Sequence, residues 1–132
     1  MKTALILSFL YSASAFACPN LSGTYQSGTD TQTIVQDSNR IQIGESSSPF
    51  LTDGIDHPYT GSLPAALGPA KIIYVVTCTD SKLAITSKIG YPDANQNVDY
   101  KEGVLDNVEF EVTPLGFTHS SGKTSTSWIK IK

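Results

Sequence analysis

The chain has 132 residues, enough for one domain and too few for a second independent hydrophobic core. Its formal net charge is −3 at pH 7, and its nine basic residues are spread singly, apart from two at the C-terminal end. Because nucleic-acid binding requires basic clusters that neutralise successive phosphates, this composition argues against a nucleic-acid partner.

Residues 1–17 have the three parts of a secretory signal peptide: a basic start, an apolar run and a segment of small residues. The apolar run is shorter than the roughly 20 residues that a membrane-spanning helix requires. Ala15-Phe16-Ala17 fits the cleavage rule, and cleavage after Ala15 is the alternative. We therefore expect a single β domain over residues 18–132, secreted or periplasmic, with no membrane span.

Two cysteines, Cys18 and Cys78, remain after this cleavage. An even number of cysteines in an exported domain predicts a disulfide, which would close a loop of about 60 residues and contribute roughly 4 kcal/mol. Two alternatives stay open. In the first, the protein is a lipoprotein and Cys18 carries a lipid anchor, although Ala15 stands where such sites usually have Leu. In the second, both thiols are unpaired.

Short alternating or β-branched runs, separated by turn residues, follow one another along the remaining chain. The run over residues 72–78 is continuously apolar, so we expect it to be the central and most buried strand. Residues 58–70 and 90–100 are rich in proline, glycine and polar residues, which is typical of loops. The predicted strands cover residues 21–26, 33–36, 40–44, 50–52, 72–78, 83–89, 108–112, 117–119 and 126–131.

Such a series of about eight strands joined by tight turns predicts an all-β fold. We expect a single small antiparallel up-and-down barrel or a strongly curled sheet, because closure removes exposed strand edges. A β-sandwich of two sheets is the alternative.

Three segments resemble small exported bacterial proteins with lipocalin-like β-barrel folds and no assigned function: residues 21–25 (LSGTY), 34–43 (IVQDSNRIQI) and 50–61 (FLTDGIDHPYTG). Gly23-Thr24-Tyr25 stands where true lipocalins have Gly-x-Trp. The resemblance implies a barrel fold, a location outside the cytoplasm and, at the level of the family, ligand binding.

The sequence contains no phosphate-binding glycine loop, no His-Glu-x-x-His, no Gly-x-Ser-x-Gly and no Cys-x-x-Cys motif. Asp53, Asp56 and His57 offer oxygen and nitrogen ligands, but Asp53-Gly54 is a strong turn signal. His119 stands alone, and Glu109 and Glu111 alternate with apolar residues as a solvated strand face would. We therefore predict no catalytic residue, no metal ion and no cofactor.

The function that the sequence favours is a protein-interaction or envelope-associated module, monomeric and without catalytic activity. The alternatives are a lipocalin-like binder of a small apolar ligand and, least favoured, a hydrolytic enzyme. A mature domain of this size leaves little volume for a ligand cavity. Aromatic side chains combine contact area with a polar group, so Tyr59, Tyr91 and Trp128 are the weak candidates for binding the ligand or protein partner.

Overall fold

The computed structural model describes residues 18–45, 47–100 and 104–132, and the predicted signal peptide lies outside them. In these ranges the chain forms ten strands and one short 3₁₀ helix (Ala65–Leu67). No helix in them has the length and apolar character needed to cross a bilayer. The strands are β1 (Gly23–Ser27), β2 (Asp30–Gln36), β3 (Arg40–Ile43), β4 (Phe50–Leu51), β5 (His57–Pro58), β6 (Lys71–Cys78), β7 (Lys82–Gly90), β8 (Val104–Val112), β9 (Gly116–Ser121) and β10 (Thr124–Lys130).

The strands form one antiparallel sheet in the order β4-β3-β2-β1-β10-β9-β8-β7-β6-β5. Apart from β4 and β5, strands adjacent in sequence are paired, and β1 also pairs with β10. The result is a nearly closed up-and-down barrel with one seam, between β4 and β5. The predicted barrel is confirmed, with ten strands where about eight were expected.

Two of the hairpins turn on a glycine. Gly28 and Gly122 have φ values of 61° and 60° and begin the two-residue loops between β1 and β2 and between β9 and β10. A positive φ at the first loop position matches the twist of the strands, and only glycine adopts it without steric cost.

The core lies inside the barrel and is centred on aromatic rings. Phe117 is fully buried, with its ring centroid 4.6 Å from that of Tyr25 and 5.6 Å from that of Phe110. These edge-on contacts join β9 to its neighbour β8 and to β1, two strands away. The buried core cluster is Leu21, Tyr25, Ile34, Ile41, Tyr74, Val76, Leu83, Ile85, Phe110 and Phe117.

The expectation that residues 72–78 form the central, most buried strand is wrong. In β6 only Tyr74 and Val76 are buried, whereas Thr77 is exposed. A barrel wall is a single sheet with one inner face, so alternate residues face solvent even in a continuously apolar strand. The strand also lies beside the seam instead of in the middle of the sheet.

The antiparallel order gives the barrel two different ends. At one of them, which we call the plugged end, residues 18–22 run from the start of β1 to β6, where Cys18 is bonded to Cys78. Because β6 lies five strand positions from β1 in either direction around the barrel, this segment crosses the opening. Leu21 is 1% exposed there, and the Gln36 amide binds the segment by accepting from Leu21 N at 2.8 Å and donating to Pro19 O at 2.9 Å.

Candidate interaction surface

The opposite end carries the long connections, so we call it the loop end. The β5–β6 loop (residues 59–70) and the β7–β8 loop (described over residues 91–100) both lie there. The sequence predicted both segments as loops, and the topology brings them to the same end.

The β7–β8 loop is folded on itself. The Asp93 carboxylate accepts hydrogen bonds from Asn95 N at 2.8 Å and Asn97 N at 2.9 Å, and Pro92 and Val98 form an isolated β-bridge. A Cβ at Gly90 would lie 2.6 Å from the Val98 side chain, so the loop packs against the end of β7. The loop therefore presents a defined surface to solvent.

Two of the three predicted binding residues lie at the loop end. Tyr91 is 55% exposed at the start of the β7–β8 loop, whereas Tyr59 is half-buried, with its ring stacked on Phe50 at 6.2 Å. Trp128 lies on β10, half-buried, with its ring stacked on Phe117 at 6.1 Å. The structure therefore does not bring the three residues into one site.

The Asp53, Asp56 and His57 group resolves into a pair at the plugged end. His57 Nε2 lies 2.9 and 2.8 Å from the two carboxylate oxygens of Asp53, while Asp56 is exposed. The hydrogen bond from His57 is the main cause of a lowered pKa of Asp53, helped by a hydrogen bond from Ile55 N. Within the described ranges, no three His, Cys, Asp or Glu side chains are grouped to hold a metal ion.

The other candidate acid–base residues lie on different faces of the wall. Glu109 is on the outer face, where its carboxylate lies 3.4 Å from Lys82 Nζ. His119 faces the interior, with its ring 4.9 Å from that of Phe110. This arrangement does not bring the two groups to one substrate.

A surface that the sequence analysis missed lies where β9 begins and β10 ends. We call it the apolar corner: Leu115, Ile129 and Ile131 are 68%, 51% and 49% exposed. Gly116 pairs with Ile129, and Lys130 N donates to Leu115 O at 2.8 Å, so these positions lie on adjacent strands. Because neighbouring strands are about 4.8 Å apart, Leu115 lies beside both isoleucines at the end of this hairpin. Val112 is also 39% exposed, but it pairs with the buried Phe117 and therefore belongs to the inner face of the wall.

The apolar corner belongs to a wider asymmetry between the two ends. Among the residues whose side-chain exposure the structure describes, Tyr91 is the one exposed large hydrophobic residue at the loop end. The exposure of both isoleucines could have been predicted from the sequence. In a strand, the alternation of Trp128, Ile129, Lys130 and Ile131 places Trp128 on one face and both isoleucines on the other. The other exposed large hydrophobic residues at the plugged end are Val35, Leu51, Ile55 and Val112.

Comparisons with protein-family models, with curated proteins and with solved structures find no match to this chain. The resemblance to lipocalin-like proteins therefore stays a prediction.

Proposed function

We propose that this chain is an exported, non-catalytic protein-interaction module whose partner docks on the apolar corner. The observation that carries the proposal is the exposure of three aliphatic side chains, between 49% and 68%, at the joined ends of β9 and β10. Contiguous exposed apolar surface is unfavourable in water, and in soluble proteins it marks surfaces that bind a partner.

The barrel interior supports a surface role over a ligand-binding one. A lipocalin-like binder needs an internal cavity, and the interior of a small barrel is either filled by its own side chains or holds one small ligand. Here the rings of Tyr25, Phe110 and Phe117 meet within the barrel at centroid distances of 4.6 and 5.6 Å. These rings occupy space that an apolar ligand would need.

The Cys18–Cys78 disulfide supports a location outside the cytoplasm. Disulfides form and persist in oxidising compartments and are rare where thiols are kept reduced. Together with the predicted signal peptide, this favours a secreted or periplasmic protein.

The proposal is tested with a photo-crosslinking amino acid placed at Leu115 in the apolar corner and, as a matched exposed position at the loop end, at Tyr91. Each variant is produced in the native host, irradiated in living cells and recovered. We expect one discrete protein adduct from position 115 and none from position 91. Adding Ile129→Ser should abolish the adduct at 115, because it replaces a neighbouring aliphatic contact with a hydroxyl.

An adduct from position 91 alone would move the binding surface to the loop end. The absence of adducts from both positions would contradict an interaction role. An adduct of twice the chain's mass would identify self-association in place of a separate partner.

A further inference from the structure

The seam between β4 and β5 is the one place where the barrel wall lacks a backbone ladder between neighbouring described strands. β4 and β5 contain two residues each and are paired on one side only, to β3 and β6. The segment that contains both strands, residues 50–58, is therefore attached to the barrel by very short ladders.

Pro58 explains why β5 does not pair with β4. Tyr59 N donates to Ile72 O of β6, so residues 57 and 59 direct their backbone groups toward β6. In an antiparallel ladder these directions alternate, which turns the backbone of Pro58 toward β4. Proline has no N–H, so β5 offers no donor to β4.

A tyrosine hydroxyl closes the seam in place of a ladder. Thr52 N donates to the carbonyl of Asn39, the residue before β3, so the amide of Leu51 faces the seam, where it donates to the Tyr74 hydroxyl at 2.9 Å. The ring of Phe50 packs edge-on against Tyr74 at 4.9 Å. One hydrogen bond and one aromatic contact thus join β4 to β6, whose Cα atoms approach within 8 Å.

We propose that residues 50–58 form a strap that opens as a unit at the seam while the rest of the barrel stays folded, giving lateral access to the interior beside Tyr74. Local opening occurs where few contacts must break. The neighbouring strand β6 is held far more strongly. It pairs with β7 along its whole length, and Cys78 at its end is bonded to Cys18. Opening withdraws the Phe50 ring and leaves an apolar site beside Tyr74.

The proposal is tested by amide hydrogen exchange, residue by residue, on residues 18–132 with the disulfide intact. In the wild type we expect the Leu51 amide to exchange by local opening, with a weaker denaturant dependence than global unfolding because less surface is exposed, while the amides of β7 and β8 exchange only on global unfolding. Tyr74→Phe removes the acceptor of the Leu51 amide and should raise its exchange rate roughly tenfold.

Tyr25→Phe is the matched control, because Tyr25 is also buried and its hydroxyl also bonds to the backbone, donating to Leu21 O at 2.8 Å. It should raise exchange in residues 18–22 and leave the Leu51 amide at its wild-type rate. The proposal is overturned if the wild-type Leu51 amide exchanges only with global unfolding. It is equally overturned if both variants accelerate exchange at Leu51 to the same extent.

Discussion

The Asp53 carboxylate is held in its charged form by its own loop. The hydrogen bond from His57 lowers the pKa of Asp53 below its ordinary value, so the folded state binds this proton less readily than the unfolded chain does. Such a group stabilises the fold fully above its unfolded pKa, which for aspartate is about 3.9, and the stabilisation is lost as the pH falls through the lower folded pKa.

We therefore expect Asp53→Asn to weaken the dependence of the free energy of unfolding on pH in acid. In urea unfolding between about pH 5 and pH 2, the wild-type midpoint should fall more steeply than that of the variant. Asp56→Asn removes an exposed carboxylate from the same loop and should keep the wild-type steepness. Equal slopes for the wild type and Asp53→Asn would contradict the role of the pair.

Single residues were predictable where their chemistry is local. The Asp53-Gly54 turn follows from two residues that accept turn conformations, and the Cys18–Cys78 bond follows from a count of two in a domain expected to be exported. The apolar corner was not predicted, because Leu115 and Ile131 are 16 residues apart in sequence and meet only through the pairing of β10 with β9. The position of Trp128 against Phe117 depends on the same register.

At the scale of the element, β9 and β10 approach each other unusually closely at Gly116. A Cβ at this position would lie 2.1 Å from Trp128 O, a backbone atom of the partner strand. Nothing lies within 4 Å of a Cβ built on Gly122, at the turn of the same hairpin, where the cost of a side chain comes from the positive φ of 60°.

These two glycines predict different responses to alanine. Gly122→Ala should cost about 1–2 kcal/mol, the penalty for a side chain in the left-handed region. Gly116→Ala should cost more, because the strands must separate and pairing in β9 and β10 is lost. Urea unfolding measures both free energies, and a smaller loss for Gly116→Ala than for Gly122→Ala would contradict the close approach.

The sequence did not predict strand residues that are extended only because they pair with a neighbouring strand. β5 has two residues, one of them a proline, so neither alternation nor β propensity marks it; its pairing with the middle of β6 creates it. β8 begins at Val104 although its first half includes the polar residues Asp106 and Asn107. These residues are extended because they pair with Ser87 and Thr86 of β7, a long-range contact that local pattern does not reveal.

At the scale of the whole molecule, the disulfide joins opposite sides of the barrel through residues 18–22. It closes a loop with a sequence separation of 60, so the chain-entropy model gives a contribution of about 4 kcal/mol. The disulfide also holds residues 18–22 in place across the plugged end, because it fixes Cys18, the first residue of this segment, to β6.

Cys18→Ser, Cys78→Ser and the double variant should therefore each lose about 4 kcal/mol in the free energy of unfolding. The unmodified protein in reductant should match them, which serves as the control for local effects of serine. Denaturant unfolding followed by tryptophan fluorescence reports the change through Trp128 on Phe117. An unchanged midpoint after complete reduction would show that the bond adds nothing to stability.

The pairing of β1 with β10 has a consequence for the order of events in folding. β1 lies between β2 and β10, so one of the two neighbours of the first strand is the last strand of the chain. A chain that emerges progressively from its N-terminus can form the β2–β3 and β6–β7 hairpins, but it cannot cover the flank of β1 until residues 124–130 arrive. Contacts that span nearly the whole chain form slowly. Such a chain stays open and threadable until β10 has been synthesised, which is the condition a protein needs if it is to pass through a narrow membrane pore before it folds.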